Sequence, residues 1–259
     1  MSRLVVFDSG LGGLTVLAEI RRARPDAHVL YLADDAFFPY GALTEEALVA
    51  RVLDLMAETI PAARPDAVVI ACNTASTLVL PPLRARFEVP FVGTVPAIKP
   101  AAAASHTKRV SVLATPGTVA RDYTRALIAE HAAGCRVTLV GAPRLASLAE
   151  AELAGTPAPD AVIAAEIAPC FVADEEARTD AVVLACTHYP LLLERFHRLA
   201  PWPVAWLDPA PAIARRVVSL LGEARPGAAP GRGEARFTSG RAPAPAIRAA
   251  LAERGLACG

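Results

Sequence analysis

Net charge is the first thing this sequence lacks: 26 Lys and Arg stand against 26 Asp and Glu. A balanced chain carries no electrostatic footprint for nucleic acid or for an acidic membrane surface. Aromatics are scarce, at 5%. No apolar run approaches the ~18 residues of a transmembrane helix. A strand begins at Arg3, which leaves no room for a signal peptide, so the expected location is cytoplasmic. The nucleotide signatures G-x-x-x-x-G-K-[ST] and G-x-G-x-x-G are absent. So are the zinc spacings C-x-x-C and H-E-x-x-H, and no internal Lys motif marks a pyridoxal site. The expectation is therefore no metal and no cofactor. Five cysteines form no dense framework, which points to thiols rather than disulfides.

What the chain has is apolar content, at 54% over 259 residues. That suffices for one large or two medium domains. It also has an internal repeat. Asp66 precedes Ala67-Val68-Val69-Ile70-Ala71-Cys72-Asn73-Thr74-Ala75-Ser76, and Asp180 precedes Ala181-Val182-Val183-Leu184-Ala185-Cys186-Thr187-His188-Tyr189-Pro190. Each copy is a β-branched run ending in Cys, then a hydroxyl-rich turn, then a helix. Solenoid repeats run ~20–50 residues, so a repeat this long reads as a duplicated half-chain. In an open parallel sheet, ligands bind at the carboxyl ends of strands. Two halves facing one another would bring both cysteines to one cleft, as moving a proton between two faces of a carbon requires.

Strands and helices alternate along the chain, which gives an α/β fold of parallel sheets. The reading is two similar α/β domains related by pseudo-symmetry, with the active site in the cleft between them. The first spans 1–95 with a returning segment 208–259, and the second spans 96–207. Leu4 to Phe7 is a strand that runs into the glycine-rich turn at Gly10, Gly12 and Gly13. Free N–H groups at the following helix start favour an anion such as a carboxylate; a tight turn capped by Asp8 is the plainer alternative. A strand over 28–32 leads to Phe37 and Phe38, one of which is expected to pack under its loop. Helices are predicted from the Thr44 cap to Ile60, over 119–132, 143–154 and 160–173, and from Pro190 to Leu199. Residues 222–233 read as a flexible linker by composition.

Cys135, Cys170 and Cys258 read as small buried hydrophobes. Cys72 and Cys186 do not, because they repeat and because a helix start favours a thiolate. Asp8, at another strand end, serves as base or orienter. His188 is the one histidine in such a turn. A Cys186–His188 nucleophile pair is chemically possible but leaves Cys72 unexplained.

Together, Asp8-Ser9-Gly10-Leu11-Gly12-Gly13-Leu14-Thr15-Val16, Phe38-Pro39-Tyr40-Gly41, Cys72-Asn73-Thr74-Ala75 and Cys186-Thr187-His188-Tyr189-Pro190 resemble the aspartate/glutamate racemase family. Cys-Thr-His rather than Cys-Thr-Glu marks the glutamate branch. The resemblance runs from about residue 3 to 221 and includes Val95 to Pro100 and Ala212 to Arg216. It implies a cofactor-independent, two-base interconversion of L- and D-glutamate that supplies peptidoglycan synthesis, in a cytoplasmic homodimer. By motif, Cys72 takes the proton from the D-enantiomer and Cys186 from the L-enantiomer. Asp8, His188 and Glu150 would assist. Substrate contacts would be Asp8, Ser9, Tyr40, Gly41, Asn73, Thr74, Thr187 and His188. Two positions depart from the family pattern. Many members carry Arg where Phe37 stands; an apolar residue there occurs in the branch that answers to a cell-wall nucleotide precursor, often with an N-terminal extension this sequence does not show. Many members also carry Ser where Pro209 stands. Competing readings are a racemase of aspartate or another amino acid, and a dicarboxylate-binding protein with structural cysteines.

Overall fold

A computed structural model describes residues 2–258. The chain forms two compact units, 1–94 with 210–259, and 95–209.

The first unit begins with β1 (Arg3–Asp8), α1 (Leu14–Ala23), β2 (His28–Ala33), α2 (Glu45–Ala63), β3 (Ala67–Ile70), α3 (Asn73–Arg86) and β4 (Phe91–Gly93). The second contains α4 (Ile98–Ala104), β5 (Arg109–Ala114), α5 (Pro116–Ala120), α6 (Asp122–His131), β6 (Arg136–Gly141), α7 (Leu145–Leu153), α8 (Asp160–Ile167), β7 (Ala181–Ala185), α9 (Leu193–Leu199) and β8 (Ala205–Leu207). The chain then completes the first unit with α10 (Ala210–Leu221), β9 (Gly233–Phe237), α11 (Pro245–Glu253) and β10 (Ala257–Cys258).

Both sheets are parallel throughout. Their orders are β10-β9-β2-β1-β3-β4 and β6-β5-β7-β8. Each unit thus places its strands in the order second, first, third, fourth, and the first unit adds two strands beside β2. The strands are short and β-branched because both faces are covered. On one face of the first sheet, Val5, Phe7, Val68 and Ile70 pack with Leu48, Val52 and Met56 of α2 and Val79 and Leu83 of α3. By strand alternation Leu4 and Val6 face the other side, and they too are buried. In the second sheet, Val110, Val112, Ala181 and Val183 pack with Ile98 and Ala101 of α4. No helix among the described residues is long and apolar enough to cross a membrane.

Several predicted helices differ in extent. Thr44 caps α2, accepting the Ala47 N–H at 3.3 Å. The helix then runs one turn past Ile60 to a left-handed Arg64, because Pro61 has a helical φ and costs only one donor. The helix predicted over 119–132 is two, broken where Arg121 is extended and Thr124 bonds back to the Thr118 carbonyl at 2.7 Å. The helix predicted over 160–173 ends at Ile167, and Pro169 sits in a single 3-10 turn. Neither aromatic of the β2 loop is buried: Phe37 is 44% exposed and Phe38 half-buried.

Candidate active site

A parallel sheet opens a crevice where neighbouring crossovers depart to opposite faces. In the first unit that point lies between β1 and β3, and in the second between β5 and β7. Each of the two cysteines singled out in the sequence stands at one of these points.

In the first unit, backbone bonds Ala71 N–H to Phe7 O and Asp34 N–H to Asp8 O align the ends of β3, β1 and β2. This brings Asp8, Ser9, Cys72, Asn73 and Thr74 into one buried group. The Cys72 thiol faces the Ser9 hydroxyl at 3.7 Å and is the N-cap residue of α3. The first turn of α3 presents backbone N–H groups on the same side. The Asn73 side chain is 2% exposed, and neither its amide nitrogen nor its oxygen has a hydrogen-bond partner among the described residues. Buried polar groups are almost always paired, so an amide orphaned at both atoms marks a place for a polar ligand.

Asp8 answers the question left by the glycine turn. Its Oδ2 accepts the Gly13 N–H at 2.8 Å, so the start of α1 already holds a carboxylate from its own chain. A Cβ at Gly13 would lie 2.8 Å from the Asp8 Cβ, which is why glycine stands there. One N–H of this turn is thus taken by the chain's own Asp8.

Tyr40 is buried, in a 3-10 turn after β2 that also holds Gly41. Its hydroxyl donates to Asp34 Oδ2. Burial, then the Asp34 carboxylate, push its ionisation far above the ordinary tyrosine range. Asp34 is itself fully buried and also binds Arg51 and Thr238. Burial opposes its charge, but the bonds from Arg51, Thr238 and Tyr40 outweigh that and hold its carboxyl below the usual range. No motif pointed to Arg51 or Thr238; their partner lies 17 and 204 residues away in sequence.

In the second unit, Cys186, Thr187 and His188 follow β7 directly and are all buried. They do not cap a regular α-helix. A 3-10 turn over Tyr189–Leu192 comes first and α9 starts only at Leu193. The Cys186 sulfur lies 3.8 Å from His188 Nδ1. His188 Nε2 lies 2.9 Å from Glu150 Oε1 on α7. A carboxylate at Nε2 fixes the imidazole proton there and leaves Nδ1 as an acceptor facing the thiol. Tyr189, fully buried beneath this turn, is held protonated by its burial.

Of the other thiols, Cys170 is buried and pushed up to about 12 by desolvation, as a small hydrophobe should be. Cys135 is half-buried, and Cys258 is exposed on the edge strand β10, against the expectation of burial. No disulfide forms among the described residues.

Two parallel α/β units with a thiol at the switch point of each sheet define the class, and comparison agrees: the chain belongs to the Asp/Glu/Hydantoin racemase family, whose profile matches residues 14–217. It is 59% identical over 219 residues to the glutamate racemase of Brucella anthropi, covering 84% of this chain and 79% of that one. Among solved structures it resembles Escherichia coli glutamate racemase, bound to L-glutamate and the activator UDP-MurNAc-Ala, with 38% identity and a TM-score of 0.90 over 99% of this chain and 96% of the other. It also resembles Thermus thermophilus glutamate racemase in complex with β-chloro-D-alanine, with 30% identity and a TM-score of 0.75 over 100% and 96%.

Proposed function

We propose that this protein interconverts L- and D-glutamate by passing the Cα proton between two thiols, without a cofactor, and so supplies D-glutamate for peptidoglycan synthesis. The observation that carries this reading is the equivalence of β3 and β7: each is the third strand of its unit, and each ends in a buried cysteine at the switch point. One cysteine has a serine and an unpaired amide beside it, the other a histidine–carboxylate pair.

In the direction from L to D, Cys186 as thiolate takes the Cα proton and Cys72 as thiol delivers one to the opposite face. The reverse reaction exchanges these roles. Each turnover leaves the two sulfurs with swapped protonation, and exchange with water resets them. His188 Nδ1 accepts the Cys186 proton before that thiol acts as base, and Glu150 stabilises the imidazolium so formed. The carbanion is the difficult species. The N–H groups of the first turn of α3 and the Asn73 amide are fixed donors for the substrate carboxylate, where charge accumulates. Asp8 orients the Cys72 side through its hold on the turn at Gly13. Cytoplasmic location and a homodimer belong to the same proposal.

The test is the decay of glutamate circular dichroism, from either enantiomer, with protein dialysed exhaustively against chelator. The signal is expected to reach zero from both sides. Activity that returned only with a metal or pyridoxal phosphate would remove the cofactor-independent part. Racemisation of aspartate in place of glutamate would move the substrate assignment, and binding without racemisation would favour a binding protein.

A further inference from the structure

The loop that carries Tyr40 and Gly41 is fixed from outside itself. Asp34, at its start, receives bonds from three separate parts of the first unit. Arg51 of α2 reaches both carboxylate oxygens, at 3.0 and 2.6 Å. Tyr40 donates to Oδ2, and Thr238 donates to Oδ1 at 2.6 Å. Arg51 also stacks 4.3 Å over the Phe37 ring, so the same guanidinium holds the loop at a second point.

Thr238 and Ser239 stand just after β9, the strand that pairs in parallel with β2 up to Ala33↔Phe237. The Thr238 N–H continues that ladder to the Ala33 carbonyl at 3.0 Å, and its hydroxyl accepts the Ala36 N–H at 3.3 Å. Ser239 binds Asp35 through its N–H at 2.9 Å and through its hydroxyl. Five hydrogen bonds therefore run from two consecutive residues to the four-residue stretch 33–36. Both residues lie beyond the stretch 14–217 matched by the family profile.

We propose that Thr238 and Ser239 are positioning residues for substrate binding: the returning C-terminal segment clamps Asp34 and Asp35 and thereby sets the Pro39-Tyr40-Gly41 turn against the substrate. This rests on the glutamate reading for the role of Tyr40 and Gly41, but the clamp itself does not. A fixed turn meets substrate and transition state alike, so loosening it weakens binding more than chemistry. A lost hydrogen bond to a charged carboxylate corresponds to about a ten-fold change.

The experiment compares the wild-type chain with Thr238→Val, Thr238→Ser and Thr238→Val/Ser239→Ala. Expected for Thr238→Val is a KM for glutamate raised about ten-fold with kcat near wild type, a larger rise in the double variant, and recovery in Thr238→Ser, which keeps the hydroxyl. Amide hydrogen exchange over 36–42 should quicken in Thr238→Val and return in Thr238→Ser. Unchanged KM and unchanged loop exchange in the double variant would overturn the proposal. So would a parallel loss of kcat and of thermal midpoint in the Val and Ser variants alike, which is what a merely structural contact gives. If the wild-type chain racemised no glutamate, the functional reading would fail, and the exchange measurement would still decide the clamp.

Discussion

Cys170 and Cys258 sit at the two extremes of thiol environment, with Cys72 and Cys186 between them. Cys170 is sealed and kept protonated by burial; Cys258 lies open on an edge strand. Cys72 and Cys186 are 5% and 6% exposed. Iodoacetamide at neutral pH should label Cys258 fastest, without loss of activity, and Cys170 not at all in the folded chain. Inactivation should track labelling of Cys72 or Cys186 and be slowed by glutamate. Peptide mapping that tied inactivation to Cys135, Cys170 or Cys258 would contradict the assignment. The repeat made the two central thiols legible in the sequence. It did not reach Glu150, which only the family resemblance named; Glu152 stands two residues further along the same short helix. Positions two apart point to different sides of a helix. Glu150 meets His188, whereas Glu152 meets Arg195 of α9 at 2.7 Å.

Elements were legible where pattern and packing agree. The eight strands that build the common order of the two units all appear as β-branched or apolar runs in the sequence. The stretch 222–233 was not legible, because glycine and proline read as slack when counted by composition. At its end the backbone is bonded on both sides: Gly231 N–H to Pro25 O and Val29 N–H to Arg232 O, each at 2.8 Å, with Arg21 bonding both the Gly231 and Ala27 carbonyls. Gly231 is glycine because a Cβ there would lie 1.9 Å from the Ala27 carbonyl oxygen. Backbone cannot yield as a side-chain tip can. Gly231→Ala should therefore cost about 2 kcal/mol, an overpacking penalty, read as a lowered urea midpoint. Because this residue leads into β9, amide exchange in β9 should rise with it. An unchanged midpoint would show that the segment is as loose as its composition implies.

At the scale of the whole molecule, the proposed function assigns one proton carrier to each unit, and that division would constrain kinetics more tightly than either site does alone. Enantiomers have equal free energy in water, so the equilibrium constant is unity and kcat/KM must be equal in the two directions for any variant. Damage to either unit therefore appears identically in both directions of net racemisation. Cys72→Ala and Cys186→Ala should each abolish racemisation from L and from D. The difference between them lies in what survives. Cys72→Ala keeps the carrier proposed to act on L-glutamate, and Cys186→Ala the one proposed to act on D-glutamate. In heavy water each variant should wash deuterium slowly into Cα of its own enantiomer without inverting it, since one thiol can remove a proton and return a solvent-derived one to the same face. The wild type should place deuterium at Cα of the product in a single turnover from either enantiomer, because the donating sulfur equilibrates with solvent beforehand. Proton NMR of the Cα signal and chiral chromatography of the same samples read both quantities together. Near wild-type racemisation in either variant would make that cysteine structural. Loss of exchange from both enantiomers in one variant would point to a single carrier serving both faces.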